Sequence, residues 1–141
     1  MTGPVPSERR GSGSFDGLVA IVDDDLSVRR ALARLLTSVG VRNEVHESGL
    51  EFLDSPALHD ADCLLLDLHL AGLSGVGVLE GVRVTASKLP VILMTGRYGV
   101  DFAEKALGAG VSALLRKPFS EEELFDALAE ATGKSVHERH P

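Results

Sequence analysis

The chain contains a single cysteine, Cys63, so no disulfide can close within it and a reducing compartment, the cytoplasm, is expected. Long apolar runs are missing too. None approaches the roughly 20 residues needed to cross a bilayer as a helix. The first ten residues, Met1 to Arg10, lack the apolar segment of a signal peptide. Positive charge is scarce: 14 Lys and Arg stand against 21 Asp and Glu, a net charge of -7. That balance argues against non-specific nucleic-acid binding. What remains is an ordinary globular composition, 44% apolar and 25% charged over 141 residues. One domain is expected, able to bury about two thirds of the surface that the unfolded chain exposes.

Both ends read as loose. Residues 1–16 are rich in Gly, Pro and Ser, and 133–141 are short and polar. Such stretches bury too little to offset the entropy lost on ordering. His137 and His140 read as part of a solvated tail and not as metal ligands.

Between them the apolar period alternates between strand and helix. Leu18 to Val22 is a continuous apolar run, as a strand buried on both faces requires. Val28, Leu32, Leu35, Leu36 and Val39 then recur at helical spacing, with Arg29, Arg30 and Arg34 on a solvated face and Gly40 at the stop. A shorter strand, Val41 to His46, follows. Ser48 opens a second helix with Pro56 near its end, and Cys63 to Asp67 is a third strand. Ser74 starts a third helix, weakened by Gly75, Gly77 and Gly81. Pro90 to Thr95 is strand four, and Val100, Ala103, Ala106 and Leu107 mark helix four. Val111 to Arg116 is strand five, and Ser120 caps a fifth helix. Strict alternation implies parallel strands and right-handed crossovers, giving a three-layer α/β sandwich. A 2-1-3-4-5 strand order would put the switch point between strands one and three.

Chemistry gathers where these strands end. Asp23-Asp24-Asp25 follows strand one, Asp67 closes strand three, Thr95 closes strand four and Lys117-Pro118 follows strand five. In an open parallel sheet all these ends face one crevice. Clustered carboxylates suit a hard cation such as Mg²⁺. A cation and a lysine together can neutralise a phosphoryl group arriving at a carboxylate. Each residue alone has a plainer use. Asp25 or Ser27 suits a helix cap, Thr95 suits a strand, Lys117 suits a surface, and Cys63 suits an apolar core.

Taken in order, Ile21-Val22-Asp23-Asp24-Asp25, Leu65-Leu66-Asp67-Leu68, Gly72-Leu73-Ser74-Gly75, Met94-Thr95-Gly96, Gly108-Ala109-Gly110 and Lys117-Pro118-Phe119 resemble the receiver domain of bacterial two-component response regulators. The resemblance covers about residues 17–132. It implies a five-stranded flavodoxin-like fold, (βα)5. Asp67 would be the phosphoacceptor, served by a histidine kinase or a histidine phosphotransfer protein. Asp23, Asp24, Asp67 and the backbone carbonyl of His69 would hold Mg²⁺. Thr95 and Lys117 would bind phosphoryl oxygens, and Lys117-Pro118 would be cis. Such a domain takes up and loses its own phosphoryl group and is not a stand-alone enzyme. The output face would comprise the fourth helix, fifth strand and fifth helix, open to a partner or to a second copy. Helix-turn-helix output domains are frequent in the branch that this chain most resembles, but the residues after 132 are too few for one.

Three departures stand out. Ala71 takes the place of the usual Pro. Leu114 takes the place of the usual Phe or Tyr of strand five. Arg97 and His69 occupy the positions that tune loss of the phosphoryl group. Two other readings compete. One is an Asp-nucleophile phosphatase, which would want a second Asp where His69 stands. The other is a pseudo-receiver, a binding module without phosphate chemistry.

Overall fold

In the computed structural model, the described residues are 15–70, 72–96, 108 and 110–136. The expected fourth helix over Val100 to Leu107 lies outside them, as do Ala71, Arg97, Tyr98, His137 and His140. Five strands form one parallel sheet: β1 (Leu18–Val22), β2 (Arg42–His46), β3 (Cys63–Asp67), β4 (Val91–Thr95) and β5 (Ala113–Arg116). Their order is β2-β1-β3-β4-β5, as expected, with the strand order reversing between β1 and β3.

The alternating strand residues explain why β1 is apolar throughout and why β3 and β4 are apolar up to their last residues, Asp67 and Thr95. Ala20, Val22, Leu64, Leu66, Val91 and Leu93 join one buried cluster, and Val19, Ile21, Cys63, Leu65, Ile92 and Met94 join another on the opposite face. Helices cover both. The first cluster is completed by α2 (Gly49–Leu53), α3 (Ala57–Asp60) and α4 (Gly75–Thr85), through Phe52, Leu58, Val78 and Val82. The second is completed by α1 (Leu26–Ser38) and α5 (Glu121–Thr132), through Leu32, Leu36, Leu124 and Leu128. Each such side chain contributes about 1.5–3 kcal/mol on full burial.

Local signals set the helix ends. The Asp25 carboxylate accepts from the N–H groups of Ser27 and Val28 and caps α1, so the acid and not Ser27 is the cap. Gly40 follows at φ 82°, a conformation that side chains resist. Ser120 and Glu123 form a reciprocal capping box at α5, with three glutamates in the first turn facing the positive end of the dipole. The expected second helix is divided. α2 ends at Leu53, and Pro56, which lacks an N–H and has a helix-ready φ of -60°, precedes the single turn α3.

Packing also runs past residue 17 and residue 132. The Phe15 N–H donates to the Ser135 carbonyl at 2.7 Å, and Phe15 and Val136 pack against the cluster beneath α1 and α5. Among the described residues, no helix is long and apolar enough to cross a membrane.

Candidate phosphoacceptor and metal site

The carboxyl ends of β1 and β3 bring the acids together. Ligand atoms from Asp23, Asp24 and Asp67 all lie within 4.8 Å of one another. Asp23 is wholly buried, Asp67 is 5% exposed, and Asp24 faces solvent. A close carboxylate set with one open side is a donor arrangement that fits Mg²⁺, which takes a few carboxylates and keeps some water.

Asp23 is held at every polar group. Its N–H donates to the His46 carbonyl, extending the β1–β2 ladder. Its Oδ1 accepts from the Asp25 N–H at 2.9 Å, and its Oδ2 accepts from Lys117 Nζ at 2.8 Å. Its carbonyl accepts from Arg29 Nη1 at 2.8 Å. Lys117 comes from beyond β5, where its own N–H donates to the Thr95 carbonyl and the following bond to Pro118 is cis, as expected. From there its ammonium also reaches Asp67 Oδ1 at 3.5 Å.

Electrostatics follow from this arrangement. Burial, and then the charge of Asp23, push the Asp67 carboxyl above its ordinary range, against the pull of Lys117 and the His69 N–H. Burial tends to lower the Lys117 ammonium. The hydrogen bond to Asp23 and the charges of Asp67 and Asp23 outweigh it, so the net direction is up. A proton is held firmly on the lysine, and the acids crowd one another.

The remaining residues singled out from the sequence are in different states. Thr95 ends β4 with 3% exposure, and its hydroxyl donates to the Gly96 carbonyl at 3.1 Å. His69 is exposed, and its N–H donates to Asp67 Oδ1 at 3.2 Å. Cys63 sits in the core with its thiol pushed up to about 12 by burial, so it is inert. Leu114 is half-buried against the cluster shared with Leu93 and Val111.

Two features are not apparent from sequence pattern. Arg30 and Arg34 are exposed as expected, but Arg29 leaves the solvated stripe and turns to the Asp23 carbonyl. Its one signal is position, about one turn into the helix that the acidic loop starts. Gly75 is the other. A Cβ there would lie 2.7 Å from the Asp67 carbonyl oxygen and 2.8 Å from Leu68 Cα, so glycine lets α4 start hard against the Asp67 backbone.

Comparison with known proteins identifies the family. The family described as the response regulator receiver domain matches residues 19–129. Transcriptional regulatory protein FixJ of Azorhizobium caulinodans is 33% identical over 120 residues, which are 85% of this chain and 57% of that protein. Nodulation protein W of Bradyrhizobium diazoefficiens is 34% identical over 135 residues, 92% of this chain and 60% of that protein. The chain therefore spans a little over half the length of these relatives. The crystal structure of a response regulator receiver protein from Burkholderia phymatum superposes with a TM-score of 0.74 at 37% identity, covering 86% of this chain and 98% of that one. The chain belongs to the response regulator receiver domain family of two-component systems.

Proposed function

We propose that this receiver accepts a phosphoryl group on Asp67 from a phosphohistidine carried by a histidine kinase or a phosphotransfer protein. The observation that carries this reading is the Lys117 ammonium, 3.5 Å from Asp67 Oδ1 in a pocket shared with two further carboxylates. An Asp67 oxygen would bond to phosphorus as the phosphorus–nitrogen bond breaks. The imidazole nitrogen keeps that electron pair, and Asp67 becomes an acyl phosphate. A carboxylate is a weak nucleophile, so positioning and charge neutralisation must supply most of the rate. Mg²⁺ on Asp23, Asp24, Asp67 and the His69 carbonyl would neutralise phosphoryl charge and keep Asp67 ionised. Lys117 would shift from Asp23 toward one phosphoryl oxygen, and the Thr95 hydroxyl would turn from Gly96 toward another. Water attack on phosphorus would later release phosphate.

A donor protein approaching Asp67 meets an apolar groove of about 500 Å³ beside Lys117, lined by Val28, Ala31, Leu35 and Phe119. That groove favours a protein donor, whose side chains can fill it. The proposed location is the cytoplasm. The proposed output surface is the segment 97–107 with β5 and α5, facing a downstream partner or a second copy. No nucleic-acid contact is assigned to this chain. The phosphatase reading lacks the second acid that its chemistry needs, because residue 69 is histidine. Incubation with acetyl phosphate and Mg²⁺ followed by intact-mass measurement tests the proposal. One phosphoryl adduct is expected, absent without Mg²⁺ and absent in Asp67→Asn. An adduct that persists in Asp67→Asn would place the acceptor elsewhere.

A further inference from the structure

The loop that carries Asp23 and Asp24 must hold two acids opposite Asp67 although all three repel one another. Some of its restraints are local. Asp25 caps α1, and the Asp25 N–H closes a turn on Asp23 Oδ1. Others arrive from outside the loop: the His46 carbonyl accepts the Asp23 N–H, Lys117 Nζ holds the Asp23 side chain, and the Arg29 guanidinium holds the Asp23 carbonyl at 2.8 Å. That carbonyl belongs to the peptide joining Asp23 to Asp24, and the peptide is planar. Fixing its oxygen therefore fixes the direction in which the backbone enters Asp24. Arg29 itself is half-buried and stands on α1, a helix of 13 residues anchored by Leu32 and Leu36. A packed helix thus reaches back to orient the acidic loop.

We propose that Arg29 is a positioning residue for the metal site: it locks the Asp23–Asp24 peptide so that Asp24 stays aimed at the cation shared with Asp67. The inference rests on the Mg²⁺ reading above. It acts against simple electrostatics, and that opposition makes it testable. Removing a positive charge beside a cation site should tighten cation binding if charge alone matters. Removing an orienting group should weaken it, typically by ten- to a hundredfold for an outer group that fixes a metal ligand.

The experiment titrates Mg²⁺ into the full chain and into Arg29→Met, Arg29→Lys and Arg30→Met, by calorimetry, with amide hydrogen exchange measured separately in EDTA. Arg30 is the exposed neighbour and its change removes the same charge. The expected result is roughly tenfold weaker Mg²⁺ binding in Arg29→Met. Arg30→Met should leave affinity unchanged or slightly tighter, and Arg29→Lys should recover part of the loss. In EDTA, exchange at Asp24 and Asp25 should quicken in Arg29→Met alone. Wild-type protein that fails to bind Mg²⁺ would overturn both the metal reading and this one. Binding by wild type with equal or tighter affinity in Arg29→Met would overturn this inference alone.

Discussion

The Lys117 ammonium donates to Asp23 Oδ2 at 2.8 Å across 94 residues of sequence, onto a carboxylate with no exposure. Removing one member of such a pair leaves a buried charge unmatched, at a cost of about 3–5 kcal/mol. Lys117 is partly open to water, so Lys117→Met is expected near the lower end of that range. Urea denaturation without Mg²⁺ measures it. Adding Asp23→Asn should recover much of the loss, because the stranded charge goes with it. A single-variant loss below about 1 kcal/mol would mean that water already solvates Asp23.

The direction of the Asp67 shift sets a pH dependence. Burial and Asp23 raise this carboxyl above its unfolded value of 3.8. The folded protein then holds the Asp67 proton more tightly than the unfolded chain does. Ionised Asp67 therefore costs stability above its folded pKa, and the cost fades as pH falls through that value toward 3.8. Asp67→Asn should melt higher than wild type at neutral pH, and the difference should close on acidification. Lys117 has the same sign in a higher pH window. Its raised pKa contributes stability that is complete below 10.5 and is lost as pH rises through the folded value. A melting difference between wild type and Asp67→Asn that is independent of pH would contradict the assignment.

Metal addition should separate Asp24 from Asp25. Asp24 shares the three-carboxylate cluster, whereas Asp25 Oδ1 caps α1 at 2.8 Å from the Ser27 nitrogen. At a hundred times its Kd, Mg²⁺ should stabilise wild type by about 2.7 kcal/mol. Asp24→Asn should lose most of that gain. Asp25→Ala should keep it while starting about 1 kcal/mol less stable, the usual cost of a lost cap. Thermal melts with Mg²⁺ and with EDTA measure both. Equal loss of the Mg²⁺ response in the two variants would defeat the ordering.

What the sequence reveals depends on how local each cause is. β1, β3 and β4 are legible because a strand buried on both faces must be apolar along its interior, as Val91 to Met94 is. β2 carries a weaker signal: Arg42, Glu44 and Val45 are exposed on an edge strand. The caps at Asp25, Ser74 and Ser120 are legible because each acts within three residues. The gathering of Asp23, Asp24 and Asp67 is legible because parallel strands end on one side. The Lys117–Asp23 bond and the turn of Arg29 inward are not, because both depend on which atoms meet after folding. The pairing of Phe15 with Ser135 is hidden for the same reason.

Leu114 bears on how strongly a phosphoryl group at Asp67 would alter the rest of the domain. It sits on β5 facing the cluster of Leu93 and Val111, half-buried, where the family usually carries an aromatic ring. A ligand shifts a two-state equilibrium only by its differential affinity for the two states. A ring that moves between solvent and core changes many contacts between those states. A leucine that is apolar in either rotamer changes few. Phosphorylation of wild type should therefore load Asp67 while producing small chemical-shift changes beyond the site. Leu114→Phe should enlarge those changes across β5 and the 97–107 segment when beryllofluoride and Mg²⁺ are added. The larger ring should also cost about 1–3 kcal/mol if its inward position is overpacked. That cost, read from urea denaturation, should fall once beryllofluoride favours whichever position the ring fits. A large wild-type response that Leu114→Phe leaves unaltered would show that the domain switches without an aromatic at this position.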